Sequence, residues 1–367
     1  MSSQSLTKVL SIGLVNLAIL ASGNPYVFAQ TLDNASEREF SLVAEGRVYL
    51  NSGADFEGDV TDYSDDARIY AADGFTMNDL ANVFLPTQKD NGGNVLTDSN
   101  NLKILVDNAV VVHSSNPQIN TPNNLYSNLD TPPQIAAQTL EVPSHENLRS
   151  AELIRRGGTA TAITFNSGAN PINSVADWSN YFPAPGTVSE PTVVNVSGGL
   201  TIPDGVALTN YIITVSGTVN FNGVSTFDNV MLVAEGGGIN LGATQFSNSA
   251  IFASGDINMN SSARFSGASV ISSTASINFD GATTTIDEQD ELMVVAEGSI
   301  MYNASLDSRA SLLSAGNVNF NGNTELYGFI GARADIVCNS FCGVVGVSDV
   351  LVSSNPPTEP PIILFAD

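Results

Sequence analysis

The sequence predicts an all-β fold, a parallel β-helix or solenoid with rungs of about 18–20 residues, interrupted by an inserted α/β or irregular lobe. Three observations carry that prediction. A phrase of Gly or a small residue, an apolar-polar-apolar triplet and then Asn, Asp or Gly returns at Val219-Asn220-Phe221, Ile239-Asn240-Leu241, Ile257-Asn258-Met259, Ile277-Asn278-Phe279 and Val318-Asn319-Phe320. The lead positions Val219, Ile239, Ile257, Ile277, Ile300 and Val318 are separated by 20, 18, 20, 23 and 18 residues. Each triplet alternates apolar and polar, as a half-buried strand does.

Two further apolar patches follow each triplet, so the natural reading is three short strands per turn. The first patch holds Phe227, Phe246, Phe265, Ile286, Leu306 and Leu326; the second holds runs such as Met231-Leu232-Val233 and Ile251-Phe252-Ala253. Gly217, Gly236, Gly255, Gly298 and Gly316 stand just ahead of the triplet, where a corner is expected to need open backbone angles. The Asn column Asn220, Asn240, Asn258, Asn278, Asn319 predicts an outward amide ladder, and Asn222, Asn260, Asp280 and Asn321 are expected to bond turn backbone.

In chain order, residues 1–29 read as a secretory leader. Lys8 is the one charge, Val9 to Ala21 is mostly apolar, and Val27-Phe28-Ala29 offers small residues for cleavage before Gln30. The apolar stretch is short for a membrane-spanning helix, and with no Cys beside the cleavage site a lipid anchor is not expected. Residues 30–78 carry the N-terminal strands and first rungs, because Leu42-Val43-Ala44-Glu45-Gly46 repeats the wording of Met231 to Gly236 and of Val294 to Gly298. Residues 79–191 differ in composition, with both histidines and Trp178, and read as the inserted lobe. Within it, 131–140 and 144–154 are expected to be helical, the second capped by Ser144 with Leu148, Ala151, Leu153 and Ile154 on its apolar face; Asn101 to His113 is strand-like. The main solenoid resumes over 192–350, and 351–367 is a Pro-rich, extended tail.

The chain has 37 acidic and 12 basic residues for a net charge of −25, which becomes −26 once Lys8 leaves with the leader (−25 − 1). That charge excludes nucleic acid and anionic surfaces as partners. Cys338 and Cys342, four apart, predict a local disulfide in an oxidising compartment. No metalloprotease, phosphate-loop, dinucleotide or nucleophile-elbow motif is present. His113 reads as a strand-end residue and His145 as a helix-start residue. Glu45, Glu235 and Glu297 repeat within Ala-Glu-Gly, which points to a structural requirement at one corner. Carboxylates are the credible chemical groups: an Asp287 and Asp307 pair would serve a carbohydrate-active β-helix enzyme, provided it shares a cleft with Trp178 and Tyr181. The acidic loops holding Asp62, Asp65, Asp66, Asp287 and Asp290 are the weak candidates for Ca²⁺. No other cofactor is expected.

The rung phrase resembles those of secreted bacterial β-solenoid surface proteins and, more loosely, bactofilin-like repeats, over about half of the chain. That resemblance implies a non-enzymatic cell-surface or matrix protein, structural or adhesive, with surface glycans or other envelope proteins as partners and no membrane span. The enzyme and the calcium-dependent extracellular module are the alternatives.

Overall fold

A computed structural model describes residues 42–51, 54–58, 69–77, 82–84, 104–106, 111–112, 118–119, 140, 142–157, 161–285 and 291–346. The segments read as leader (1–29) and tail (351–367) lie outside them, as does the expected helix over 131–139.

Alternation along each rung decides which side chains meet. In the rung that starts at Val219, the first strand, Val219–Phe221, buries Val219 and Phe221 and turns Asn220 outward. The chain then enters one long strand, Ser225–Ala234, bent so that it supplies two faces. Ser225 and Phe227 point inward before the bend, and Val230, Leu232 and Ala234 after it. We call these the first, second and third faces. Every rung repeats the plan, and the lead residues stack in register. Val219 lies on Ile239, then Ile257, Ile277, Ile300, Val318 and Ile336, all through parallel pairs. The fold is a parallel β-solenoid, as the period predicts.

The spatial order of rungs departs from the chain order. Above the last third-face strand of the C-terminal run the next place belongs to Leu42–Ala44, which pairs with Ile330, Gly331 and Ala332. The chain then continues the stack: Arg47–Leu50 pairs with Ile336–Cys338, and Ala54–Gly58 with Cys342–Gly346. Two further rungs follow through Ile69–Ala71, Gly74–Met77 and Asn82–Phe84, then Ile104–Val106, Val111–Val112 and Gln118–Ile119. The first face therefore holds 11 strands, eight from Leu200–Ile202 to Ile336–Cys338 and three from the N-terminal part. Ten intervals make a stack of about 48 Å. The solenoid does not resume where it breaks off. It resumes at the opposite end and climbs back to its own beginning.

The inserted lobe of 79–191 is accordingly redrawn. Its strands between 82 and 119 are solenoid rungs, and Ile163–Asn166 is the end strand of the third face, paired with Thr192–Ser197. Between these lie helix α1 (His145–Arg155) and helix α2 (Val175–Tyr181). Ser144 caps α1 as expected, accepting from the Asn147 amide at 3.3 Å. Its buried side differs from expectation: His145, Leu148 and Glu152 face the solenoid, while Leu153 and Ile154 are exposed. Helix α2 starts at a cap formed by Ser174 and Asp177, with Ser174 Oγ accepting from the Asp177 amide at 3.1 Å, and it adds a helix to the one the sequence predicts here. Its Trp178 stacks on Phe182, which meets Tyr211 edge-on, so α2 closes the end of the stack where the C-terminal run begins.

Inward side chains hold the stack together. Phe227, Phe246 and Phe265 form one column with centroids 5.1 and 4.9 Å apart. The aromatic load then crosses to the first face, where Phe279, Tyr302 and Phe320 stack at 4.2 and 5.5 Å. Thr285, Ser308 and Leu326 take the vacated second-face places. Each buried ring contributes about 1.5–3 kcal/mol. Thr244 and Thr324 point inward beside them and return their hydroxyls to Gly242 and Gly322 carbonyls at 3.0 and 3.3 Å.

The corner glycines owe their place to crowding, not to the open backbone angles expected of them. A Cβ on Gly298 would stand 2.7 Å from the Ala275 carbonyl oxygen of the rung below. A column of left-handed positions lies at another corner, between the second and third faces, where Asn210, Asn229 and Asn248 have φ of 58, 54 and 47° and Gly267 has 59°. Asn tolerates that region better than other non-glycine residues.

Candidate functional site

The third face is buried on both sides, which explains its unbroken apolar runs. Its inward residues join the main core. Its outward ones, among them Val43, Ile212, Met231, Val233, Phe252, Met293 and Leu313, form a second cluster with Leu140 and Leu148. The segment that returns along the stack covers this face, and the Ala-Glu-Gly glutamates fasten it. Glu45 accepts from the Leu140 amide at 2.8 Å, Glu297 from the His145 amide at 3.4 Å, and Glu235 pairs with Arg149 at 2.6 Å. Arg333 holds the Leu140 carbonyl at 3.0 Å. The structural requirement read from their repetition is thus an anchoring one.

The far end of α1 is fixed by charge. Glu152, wholly buried, binds Arg155 at 2.8 Å and Arg156 at 3.0 Å. Arg156 reaches on to Asn229 Oδ1 at 2.7 Å and the Asn248 carbonyl at 2.5 Å, so the left-handed corner docks the helix. At the near end a cleft of about 330 Å³ is lined by His145, Glu146, Arg149, Glu235 and Glu297 among others. His145 Nδ1 lies 3.2 Å from Ser272 Oγ and its ring meets Phe252 edge-on. Burial holds its pKa below the ordinary histidine value, against the opposing pull of Glu297. His145 is the helix-start residue expected of it; His113 lies outside the described residues.

Among the described residues none packs across the first and second faces. On the first, Asn240 Nδ2 donates to Asn220 Oδ1 at 2.8 Å, Asn258 to Asn240 at 3.1 Å and Asn278 to Asn258 at 2.8 Å. The predicted ladder is present over these four rungs. Met301 follows Asn278 in register and ends it, leaving Asn278 Oδ1 with no donor; Asn319 lies beyond. A second ladder runs along the neighbouring corner, through Asp280, Asn303, Asn321, Asn339 and Asn51, with steps of 2.7–2.8 Å. Asp280 and Asn321 therefore bond one another's column, not the turn backbone. This ladder crosses from the C-terminal run onto the N-terminal rungs.

On the second face, outward residues form two columns. Thr226, Gln245, Arg264, Thr284, Asp307, Glu325 and Gly343 make one. Asp228, Ser247 and Ser266 begin the other, so Asp228 and Asp307 do not share a column. Asp307 is exposed, and Asp287, its partner in the enzymatic reading, lies outside the described residues. Trp178 sits five rungs away, about 24 Å along the axis; the structure does not bring it into one cleft with Asp307. Asp62, Asp65, Asp66 and Asp290 also lie outside the described residues, among which no group of His, Cys, Asp and Glu is arranged to hold a metal. Among the same residues no helix is long and apolar enough to cross a membrane.

Cys338 and Cys342 are paired and lie inside, both taking inward core places at the corner between the first and second faces. The architecture defines a β-solenoid with one strapped face and two regularly spaced ones that no other described segment covers. Neither a comparison with protein-family models nor one with curated proteins returns a match for this chain.

Proposed function

We propose that this protein is a non-catalytic, exported scaffold whose open faces bind extended polymers or neighbouring envelope proteins at the cell surface or in the surrounding matrix. The observation that supports it most is the amide ladder from Asn220 to Asn278. It repeats one donor–acceptor group at every rung, about 4.8 Å apart, on a rigid sheet. Such an array matches a partner that is itself periodic, and glycan chains are. The acidic surface favours partners that are neutral or cationic. A leader ending near Ala29 and a disulfide fit an oxidising compartment outside the cytoplasm.

Two measurements test this reading. N-terminal sequencing of protein recovered from the cell surface or medium should begin at Gln30; retention of the full chain in the cytoplasm overturns export. Pull-down on insoluble polysaccharides and on isolated envelopes should retain the folded protein. Absence from both retained fractions overturns the scaffold role.

A further inference from the structure

We propose that the solenoid core binds a water molecule between Tyr302 and Ser308, in the part of the stack where the aromatic column passes from the second face to the first. Two buried hydroxyls point to it. Tyr302 is wholly buried and Ser308 is 1 % exposed, yet neither the Tyr302 hydroxyl nor Ser308 Oγ meets a hydrogen-bond partner among the described residues. Buried hydroxyls are nearly always bonded, to protein or to ordered water, because an unbonded one has lost its hydration and gained nothing.

Register sets the two groups opposite each other. On the first face Tyr302 continues the inward column of Leu241, Met259 and Phe279. On the second, Ser308 continues that of Phe227, Phe246, Phe265 and Thr285. Tyr302 and Ser308 thus hold the inward places that Phe221 and Phe227 hold in the rung starting at Val219, where the two ring centroids are 5.4 Å apart. In the Tyr302 rung a hydroxymethyl group replaces the second ring, so the phenol faces a short side chain that carries a hydroxyl of its own.

The chemistry of these groups selects the ligand. Burial pushes the Tyr302 hydroxyl well above the ordinary tyrosine range, so it keeps its proton and can donate. Thr285 is the register neighbour of Ser308, and its Oγ1 accepts from the Arg309 amide at 3.0 Å, which leaves its hydroxyl proton for a third bond. Alternation turns the Arg309 side chain to the outer side of the strand, so no charge faces this layer from it. An apolar guest would leave both hydroxyls unsatisfied. A molecule of water accepts and donates at once, and two to four polar partners are what a buried one requires. The site is independent of whether the outer faces bind a polymer.

A crystal structure of the whole protein that shows ordered solvent should place one water about 2.7–3.2 Å from both Tyr302 Oη and Ser308 Oγ. No solvent density between them, or a direct bond from one hydroxyl to the other, overturns the site. Urea unfolding reads the same question by sign. Tyr302→Phe and, separately, Ser308→Ala each take a partner from the water and should raise the unfolding equilibrium constant by about threefold to tenfold. If the hydroxyls are dry, each substitution deletes an unsatisfied group and lowers that constant, which refutes the proposal. Both changes preserve shape, so the variants fold. Xenon bound between the two side chains in a pressurised crystal marks a dry, apolar cavity and also overturns it.

Discussion

Joining Asn51 to Asn339 by an engineered disulfide tests the least expected feature of the fold, the stacking of the N-terminal rungs on the C-terminal one. Their side chains already meet, with Asn51 Nδ2 donating to Asn339 Oδ1 at 2.7 Å across a sequence separation of 288. Both stand at the same corner of adjacent rungs, where parallel strands lie about 4.8 Å apart, and disulfides span Cα distances of roughly 4.4–6.8 Å. In the double variant Asn51→Cys, Asn339→Cys the bond should form on oxidation within one chain. Closing a loop of that length removes unfolded-state entropy worth about 5–6 kcal/mol on the chain-entropy model, an upper figure because native strain subtracts from it. Urea unfolding of the oxidised and gently reduced forms measures the difference, and peptide mapping by mass confirms that Cys338 still pairs with Cys342. A bond that forms only between two chains, or free thiols at both new positions in a folded monomer, would refute the stacking order.

Three more outcomes follow from the packing. Phe246→Ala removes the middle ring of a stacked column and should cost about 3–5 kcal/mol in urea unfolding; a loss under about 1 kcal/mol would mean the column is not close-packed. Glu152→Ala strips the buried Arg156 of its carboxylate and should cost about 3–5 kcal/mol, with Glu152→Gln retaining part of it, as thermal melts of the two variants would show. His145 is held neutral by burial, its folded pKa lying below the unfolded value near 6.5. The unfolded chain then binds more protons as pH falls through that value, so stability present at pH 8 declines below about 6.5 and levels off beneath the folded pKa. His145→Gln should flatten that part of the profile, and an identical profile in the variant would remove His145 as the cause.

What the sequence makes legible here is the rung, because burial alternates locally and Val219, Ile239 and Ile257 mark each turn by themselves. The amide ladder is readable for the same reason: a column follows once the period is known. The order of rungs is not readable. Residues Leu42 to Ala44 would fit beside many similar strands, and nothing near them in sequence reveals that Ile330 to Ala332 is the neighbour. One trace was available. Glu45 shares its Ala-Glu-Gly setting with Glu235 and Glu297, and all three prove to hold the same returning segment. The rungs between 82 and 119 are not legible because they lack the Gly-apolar-Asn phrase.

The disordered order of the rungs has a consequence for biosynthesis. The ribosome releases Leu42 to Gly58 first, yet the surface they rest on is translated almost last. A nascent chain carries three layers without their neighbouring rung throughout its synthesis, so its two ends stay apart until the C-terminal run is made. Completion of the polypeptide, not emergence of its first repeats, is the event that closes the molecule.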